Sequence, residues 1–325
     1  MYSFKNLTKK ENEKKIIFTA GPASLISANL SNIKPCFGRG DKEYLKTEKK
    51  VLNKIKKIAG GFENIARFQG SGSLAIEIMM ANYLYGNIMI IDTGYYAQRI
   101  HSISKQLKSL FGYIKRIDTI NWKEINSLQK KYDWVIACPT ETSCGIKIPV
   151  QTLSKVAKQC KSKLMLDATG SIGLENDHEL ADVISFSSCK GLFGLTGAGF
   201  ICFNKKFNNY IPSFYLNLQN HIDKKMTGRY QILYSLEKIL EKHSDIKYSV
   251  IINKKKFIKK MKNFLTVNKE NQPNLCTHVN KIIKSSSKKT ILYSPRNTIG
   301  GSVVCHIGEA HLGKDAKGKI LDLLY

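Results

Sequence analysis

Lys190 is the residue whose sequence surroundings point most clearly to chemistry. It follows Ser187, Ser188 and Cys189 and precedes a glycine-containing stretch, and it lies downstream of Asp167, which ends an apolar run at 164–166. A lysine amine can form a Schiff base with an aldehyde, and a carboxylate can keep a pyridine nitrogen protonated. The pair therefore predicts a site for pyridoxal 5′-phosphate (PLP), with Lys190 and Asp167 as catalytic residues.

A glycine- and serine-containing turn at 69–73 follows a candidate strand and opens a candidate helix. Small residues let the backbone wrap a phosphate, and a helix N-terminus offers free N–H groups and a positive dipole end. Ser71, Gly72 and Ser73 are therefore predicted to bind the cofactor phosphate. The same turn alone is also typical of an ordinary capped helix start, and Asp167 and Lys190 downstream favour the phosphate site.

Two further turns carry side chains that suit the cofactor. The segment 140–145 holds Thr142, whose hydroxyl could bind the phenolic oxygen, and 92–99 holds Tyr96, which could stack on the pyridine ring. An ordinary polar turn and a core tyrosine are the alternative interpretations.

The elements that must position these residues alternate between strands and helices from about 50 to 205. This alternation predicts an α/β fold with a mainly parallel seven-stranded sheet, helices on both faces, and a ligand beyond the carboxyl ends of the strands. The candidate strands are 65–68, 88–91, 113–117, 134–137, 163–166, 183–186 and 200–203, and the candidate helices are 73–85, 97–110, 122–131 and 150–160.

After about residue 210 the pattern changes to a smaller α+β domain. We expect helices at 229–242, 248–265 and 314–323, with strands at 290–293 and 302–306. The predicted organisation is an N-terminal arm at 1–20, a PLP-binding large domain at 21–225 and a small C-terminal domain at 226–325.

The composition is that of a globular protein with a formal net charge of +27 over 325 residues. The lysines are spread along the chain without a basic motif interleaved with aromatics, so nucleic acid is an unlikely partner. No apolar run is long enough to span a bilayer, the N-terminus has no secretory signal, and no His/Cys cluster has zinc spacing. We expect no metal, no membrane, reduced thiols and a cytoplasmic location.

The chain resembles the class V aminotransferases of the fold-type-I PLP enzymes, most closely their 2-aminoethylphosphonate:pyruvate transaminase branch. No single motif is specific to the family, but several motifs occur in this chain in the same order as in the family. The matching segments are 17–22, 36–44, 69–73, 94–99, 141–145, 167–168, 187–199 and 304–308.

The resemblance implies roles for individual residues. Lys190 would hold the cofactor and move a proton between substrate and cofactor, and Asp167 would pair with the pyridinium nitrogen. Thr227 would reach the phosphate of the other subunit, which implies a homodimer with shared sites. The remaining cofactor contacts implied are Ser71, Gly72, Ser73 and Ser187 to the phosphate, Tyr96 over the ring and Thr142 at the phenolic oxygen.

One departure concerns substrate binding. His306 stands where the family usually has an arginine that clamps the substrate's carboxylate or phosphonate, and an imidazole does not replace a bidentate guanidinium. His306 is also a candidate for a packed strand histidine. Arg39, Arg229 and Arg296 are candidates for the missing cation, and a surface or structural role is the alternative for each.

The expected function is a PLP-dependent transaminase that moves an amino group from a small amine or amino acid to a 2-oxo acid. The resemblance implies 2-aminoethylphosphonate as a candidate amine and a compound such as pyruvate as the acceptor. The alternatives are a lyase, decarboxylase or desulfurase on the same scaffold, or a nucleic-acid-binding protein that kept the scaffold.

Overall fold

The structure is a computed structural model. It describes residues 6, 10–11, 13–23, 25–35, 38–207, 209–223, 226, 228–297, 300–308 and 321–325, with the side chain of Arg39 left out. The predicted helix at 314–323 lies outside the described residues, apart from its last three positions.

A seven-stranded sheet forms the centre of the chain. Its strands are β2 (Asn64–Gln69), β3 (Gly86–Asp92), β4 (Ile114–Asn121), β5 (Trp134–Ala137), β8 (Lys163–Asp167), β9 (Val183–Ser187) and β10 (Ala198–Phe203). They lie in the order β2-β10-β9-β8-β5-β3-β4. Only β10 runs antiparallel to its neighbours, whereas the β4–β3–β5–β8–β9 block is parallel. The predicted mainly parallel seven-stranded sheet is confirmed.

Helices cover both faces of this sheet, which explains why the central strands are apolar without alternation. On β3, Met89 and Ile91 belong to one buried cluster, and Ile88 and Ile90 belong to another. The first cluster includes side chains of α2 (Lys42–Ile58), α5 (Val150–Gln159) and α7 (Tyr230–Ile239), and the second includes those of α3 (Gly72–Tyr83), α4 (Tyr95–Phe111) and α6 (Leu218–Asp223).

A smaller group of elements follows in the C-terminal part. Antiparallel β11 (Cys276–Val279) and β13 (Ser302–Cys305) pack with the long helix α8 (His243–Lys260) around a third buried cluster. The N-terminal strand β1 (Ile16–Phe18) pairs in parallel with β12 (Thr290–Leu292), and Phe18 belongs to that cluster. The domain boundaries at 20 and 225 stay predictions.

The remaining described elements are short. They are α1 (Ser27–Leu30), the hairpin β6 (Thr140–Glu141) with β7 (Ile146–Lys147), and single 3₁₀ turns at Gly38–Gly40, Ala168–Gly170, His178–Leu180 and Lys262–Phe264. In the part of the chain that the structure describes, no helix is long and apolar enough to cross a membrane.

The predicted helix at 122–131 is wrong. The structure has a 3₁₀ helix at Trp122–Ser127, after which Leu128 turns extended. The apolar residues Trp122, Ile125 and Leu128 recur every third position, which matches the three residues per turn of a 3₁₀ helix better than an α-helical stripe.

Candidate active site

A cavity of about 280 Å³ opens at the carboxyl ends of the parallel strands. The chain segments that follow β3, β5, β8 and β9 all reach it, because parallel strands end at the same edge of a sheet. The side chains and glycines lining it are Gly72, Ser73, Tyr95, Tyr96, Arg99, Cys138, Thr140, Thr142, Asp167, Thr169, Gly170, Ser187, Cys189, Lys190 and Arg296.

Lys190 enters the cavity from the loop after β9. Backbone hydrogen bonds fix this loop: Phe193 N donates to Lys190 O at 2.8 Å, and Ala23 N donates to Cys189 O at 2.7 Å. The Lys190 Nζ lies 5.3 Å from the centroid of the Tyr96 ring. An amine and an aromatic face therefore share one small space.

Asp167 is the last residue of β8 and is almost completely buried. Its Oδ1 accepts a hydrogen bond from Thr169 N at 3.1 Å, and its Oδ2 accepts one from Arg99 Nη2 at 2.9 Å. Two donors orient the carboxylate at the cavity wall and balance its charge.

One end of the cavity is the first turn of α3. Ser71 caps this helix by accepting a hydrogen bond from Leu74 N at 3.3 Å, while Gly72 and Ser73 line the cavity. Free N–H groups of the first turn and the positive end of the helix dipole make this end suitable for an anion. Ser187, at the end of β9, lines the same cavity.

Tyr96 is positioned by an unusual cap on α4. The N-cap residue Gly94 has a φ of 143° and no side chain, and Glu141 from the β6 strand accepts a hydrogen bond from Tyr96 N at 3.0 Å instead. Burial raises the pKa of Glu141, against the lowering effect of its hydrogen bonds. The sequence did not reveal this contact, since the two segments are far apart in the chain.

A family model described as aminotransferase class-V matches residues 49–229, which is more than half of the chain. The chain belongs to the class-V aminotransferase family. Lys190, Asp167 and the first turn of α3 all lie within the matched residues.

The 2-aminoethylphosphonate–pyruvate transaminase of Pseudomonas aeruginosa is 24% identical over 198 residues, which are 57% of this chain and 53% of that protein. The chain therefore spans about half the length of this curated relative.

Solved structures of aminotransferases share the fold over nearly the whole chain. Alanine–glyoxylate aminotransferase from Nostoc sp. has a TM-score of 0.79 at 15% identity and covers 95% of this chain and 94% of its own. PLP-bound phosphoserine aminotransferase from Trichomonas vaginalis has a TM-score of 0.73 at 13% identity, with coverages of 94% and 98%. The expected fold-type-I architecture is thus confirmed.

Of the candidate substrate residues whose side chains the structure describes, Arg296 lines the cavity. Its Nη1 donates to Tyr95 Oη at 3.3 Å, and its guanidinium carbon lies 5.5 Å from the Tyr95 ring centroid. The hydrogen bond from Arg296 to Tyr95 raises the pKa of the guanidinium. An exposed cation therefore stands at the cavity mouth.

His306 does not line the cavity. It is completely buried, its Nε2 lies 3.0 Å from Thr277 Oγ1, and its ring lies 5.5 Å from that of Phe257 on α8. Burial lowers the pKa of His306 to about 3, with a smaller contribution from Lys254, so the ring is neutral. His306 is therefore a packed histidine of the core, and its position does not support a contact with substrate.

The other candidates lie elsewhere or outside the described residues. Arg229 is buried beside Glu48, with Nη2 3.5 Å from the carboxylate, and is not part of the cavity lining. Thr227 and the side chain of Arg39 lie outside what the structure describes.

Residues to which the sequence assigned no role also face the cavity. Arg99 contacts Asp167, and Thr169 comes two residues after Asp167. Among the described residues, Thr140 Oγ1, Thr169 Oγ1 and Arg99 Nε are buried without a hydrogen-bond partner. The position of Thr140 after a strand end placed it near the expected cofactor, and the position of Thr169 could have drawn attention in the same way, whereas Arg99 gave no such signal.

Proposed function

We propose that this chain is a PLP-dependent aminotransferase that moves an amino group from a small amine bearing an anionic group to a 2-oxo acid. One observation carries the proposal: Lys190, Asp167 and the first turn of α3 open into a single cavity. These groups suit the aldehyde, the ring nitrogen and the phosphate of PLP, respectively.

The charges and polar atoms of the cavity fit that cofactor. Three cations, Arg99, Lys190 and Arg296, and one carboxylate, Asp167, line it, which favours a ligand with net negative charge. The unpartnered hydroxyls of Thr140 and Thr169 offer further hydrogen bonds, because buried polar groups are normally satisfied. A volume of about 280 Å³ lies just below the roughly 300–1,000 Å³ typical of small-molecule sites.

Each cavity residue has a proposed part. Gly72 and Ser73 in the α3 turn, with Ser187, would hold the phosphate, and Ser71 keeps that turn capped. Tyr96 would cover the ring, and Thr142 would donate to the phenolic oxygen. Thr227 keeps the role that the resemblance gives it, and Arg39 stays a candidate for the substrate-binding cation, both as proposals.

The chemistry rests on two of these groups. PLP, when bound, supplies an aldehyde that amines can join and a ring that withdraws electron density from the substrate carbon. The Asp167 carboxylate would hold a proton at the ring nitrogen, and its burial would keep that interaction strong. Lys190 Nζ would take the proton from the substrate carbon and deliver it to the cofactor, since it lies in the same cavity.

Arg296 determines the class of substrate in this proposal. A guanidinium binds phosphonate or carboxylate oxygens in a bidentate manner, and His306 is buried and neutral. The relative from Pseudomonas aeruginosa is named for 2-aminoethylphosphonate and pyruvate, and both are anions. We propose the same classes of donor and acceptor here.

A homodimer and a cytoplasmic location belong to the same proposal. Support for the dimer comes from the likeness of residues 226–228 to a segment that reaches the partner's phosphate. Support for the location comes from the eight cysteines, whose spacing favours reduced thiols over a disulfide framework. Light scattering of the purified protein tests the homodimer, and cell fractionation tests the cytoplasmic location.

The test starts with the absorption spectrum of the purified full chain mixed with PLP. We expect a visible band that disappears in Lys190→Ala and persists in Lys256→Ala, an exposed lysine on α8 that serves as the matched control. A wild-type protein without this band, or a band that survives in Lys190→Ala, would contradict the proposal.

A donor screen then separates transamination from other PLP reactions. We expect 2-aminoethylphosphonate or another anionic amine to convert the cofactor to its amino form, and pyruvate to restore the original spectrum. Release of carbon dioxide or sulfide, with no transfer to pyruvate, would instead support a decarboxylase or desulfurase.

A further inference from the structure

Arg99 bridges two groups at different places on the cavity wall. Its Nη1 donates to Ser73 Oγ at 2.8 Å, and its Nη2 donates to Asp167 Oδ2 at 2.9 Å. Its guanidinium carbon also lies 4.7 Å from the centroid of the Tyr96 ring. One side chain therefore connects the first turn of α3, the end of β8 and the aromatic face on α4.

The bridge has a consequence for Ser73. A serine hydroxyl has one proton to donate and can accept hydrogen bonds on its lone pairs. Because the Ser73 oxygen already accepts a charged donor, its own proton stays available for an anion in the cavity. Arg99 thereby makes Ser73 a donor towards a phosphate.

The bridge has a second consequence for Asp167. The Asp167 side chain is 2% exposed and that of Arg99 23%, so the pair is shielded from much of the solvent. A charge-assisted hydrogen bond in such a place is strong and fixes the direction of the carboxylate. A carboxylate has about four lone-pair positions, so Asp167 keeps capacity for one more donor after Thr169 and Arg99.

We propose that Arg99 is a positioning residue that acts through both neighbours, setting Ser73 as a phosphate donor and holding the Asp167 carboxylate aimed at the ring nitrogen. This inference rests on the proposed PLP function. A lysine could supply the charge but not two parallel donors in a fixed plane, so the forked shape of Arg99 matters in addition to its charge.

The experiment measures the affinity of the cofactor-free full chain for PLP and for pyridoxal, which lacks the phosphate. Variants are Arg99→Gln, Arg99→Lys, Ser73→Ala, Asp167→Asn and the double variants that combine Arg99→Gln with each of the last two. The matched control is Arg116→Gln, because Arg116 also pairs with an aspartate, Asp118 at 3.1 Å, but does not line the cavity. Circular dichroism and unfolding midpoints verify the fold of each variant.

We expect Arg99→Gln to weaken PLP binding on the order of 10- to 100-fold, the range for charge-assisted hydrogen bonds. Arg99→Lys should recover part of this loss, and Arg116→Gln should bind like the wild type. Ser73→Ala should weaken the binding of PLP more than the binding of pyridoxal. The loss of PLP affinity caused by Ser73→Ala or by Asp167→Asn should be smaller once Arg99 is replaced, because Arg99 acts through those residues.

Two results would overturn the inference while leaving the function intact. One is wild-type affinity in Arg99→Gln. The other is full additivity, in which Ser73→Ala and Asp167→Asn each lower PLP affinity by the same factor whether or not Arg99 is replaced. That result is expected if Arg99 only stabilises the fold. A wild-type protein that binds no PLP would instead refute the proposed function and this inference together.

Discussion

Replacing Gly72 by alanine tests whether the first turn of α3 is shaped to receive a phosphate. A Cβ added at Gly72 would lie 2.8 Å from Thr169 Oγ1, 3.1 Å from Thr169 Cγ2 and 3.5 Å from Ser187 Cβ. The first distance is shorter than side chains tolerate, so Thr169 must shift. The backbone of Gly72 does not have the positive φ that would make alanine strained, so the change tests space alone.

The expected size of the effect follows from two opposing terms. Alanine in place of glycine stabilises a helix by up to about 1 kcal/mol, whereas an extra methyl group in a packed site costs about 1–3 kcal/mol. The free energy of unfolding should therefore fall by roughly 0–3 kcal/mol. PLP affinity should fall by about 10- to 100-fold, because the methyl group occupies space that one charge-assisted hydrogen bond requires.

The assay pairs urea denaturation with PLP titration for Gly72→Ala, Thr169→Ala and the double variant. Thr169→Ala removes both Thr169 atoms closer than 3.4 Å to the new methyl group. The double variant should therefore lose no stability beyond that of Thr169→Ala alone, yet it should still bind PLP weakly. Wild-type PLP affinity in Gly72→Ala would refute the assignment of this turn to the phosphate.

Three further outcomes are expected. Arg296→Gln should raise KM for an anionic amine up to about 5-fold, as for an exposed ion pair, and leave KM unchanged for an uncharged amine; equal changes for both donors would contradict this. Glu48→Gln leaves Arg67 and Arg229 buried without their carboxylate, so the free energy of unfolding, measured in urea, should fall by about 3–5 kcal/mol, and a fall below 1 kcal/mol would argue against it. Burial lowers the pKa of His306 to about 3, below the value of about 6.5 in the unfolded chain. The unfolded state then binds a proton first on acidification, so stability that is present above pH ~6.5 is lost as the pH falls towards 3. The urea midpoint should fall less across this range in His306→Asn than in the wild type. Parallel curves for the two proteins would contradict the assignment.

The sheet was predictable because its strands are short apolar runs buried on both faces, a pattern that needs no knowledge of the partners. The segment 134–137, for example, has the same bounds in the sequence prediction and in the structure. The helix at 122–131 was wrong because a three-residue apolar spacing fits two helix types, and only the neighbouring packing distinguishes them. Strand β11 was missed, since its sequence Cys-Thr-His-Val carries little hydrophobic signal.

The site was predictable only in part. Lys190 and Asp167 could be singled out because the signal for each depends only on its residue type and on the few residues around it. The contact of Arg99 with Asp167 could not, because the two residues are 68 positions apart and meet only when β3 and β8 are placed on either side of β5. The cap that Glu141 gives to α4 is another long-range contact of this kind, across 45 positions.

The sequence by itself determined the strands of the large sheet, the turns at their ends and the candidate residues for PLP, because apolar periodicity and side-chain chemistry are properties of short segments. The tertiary structure decided which side chains meet in the cavity and which do not. It buried His306 beneath α8 and left Arg296 at the cavity mouth. The physical reason is that burial and charge pairing depend on distances between segments remote in the chain, which folding alone establishes.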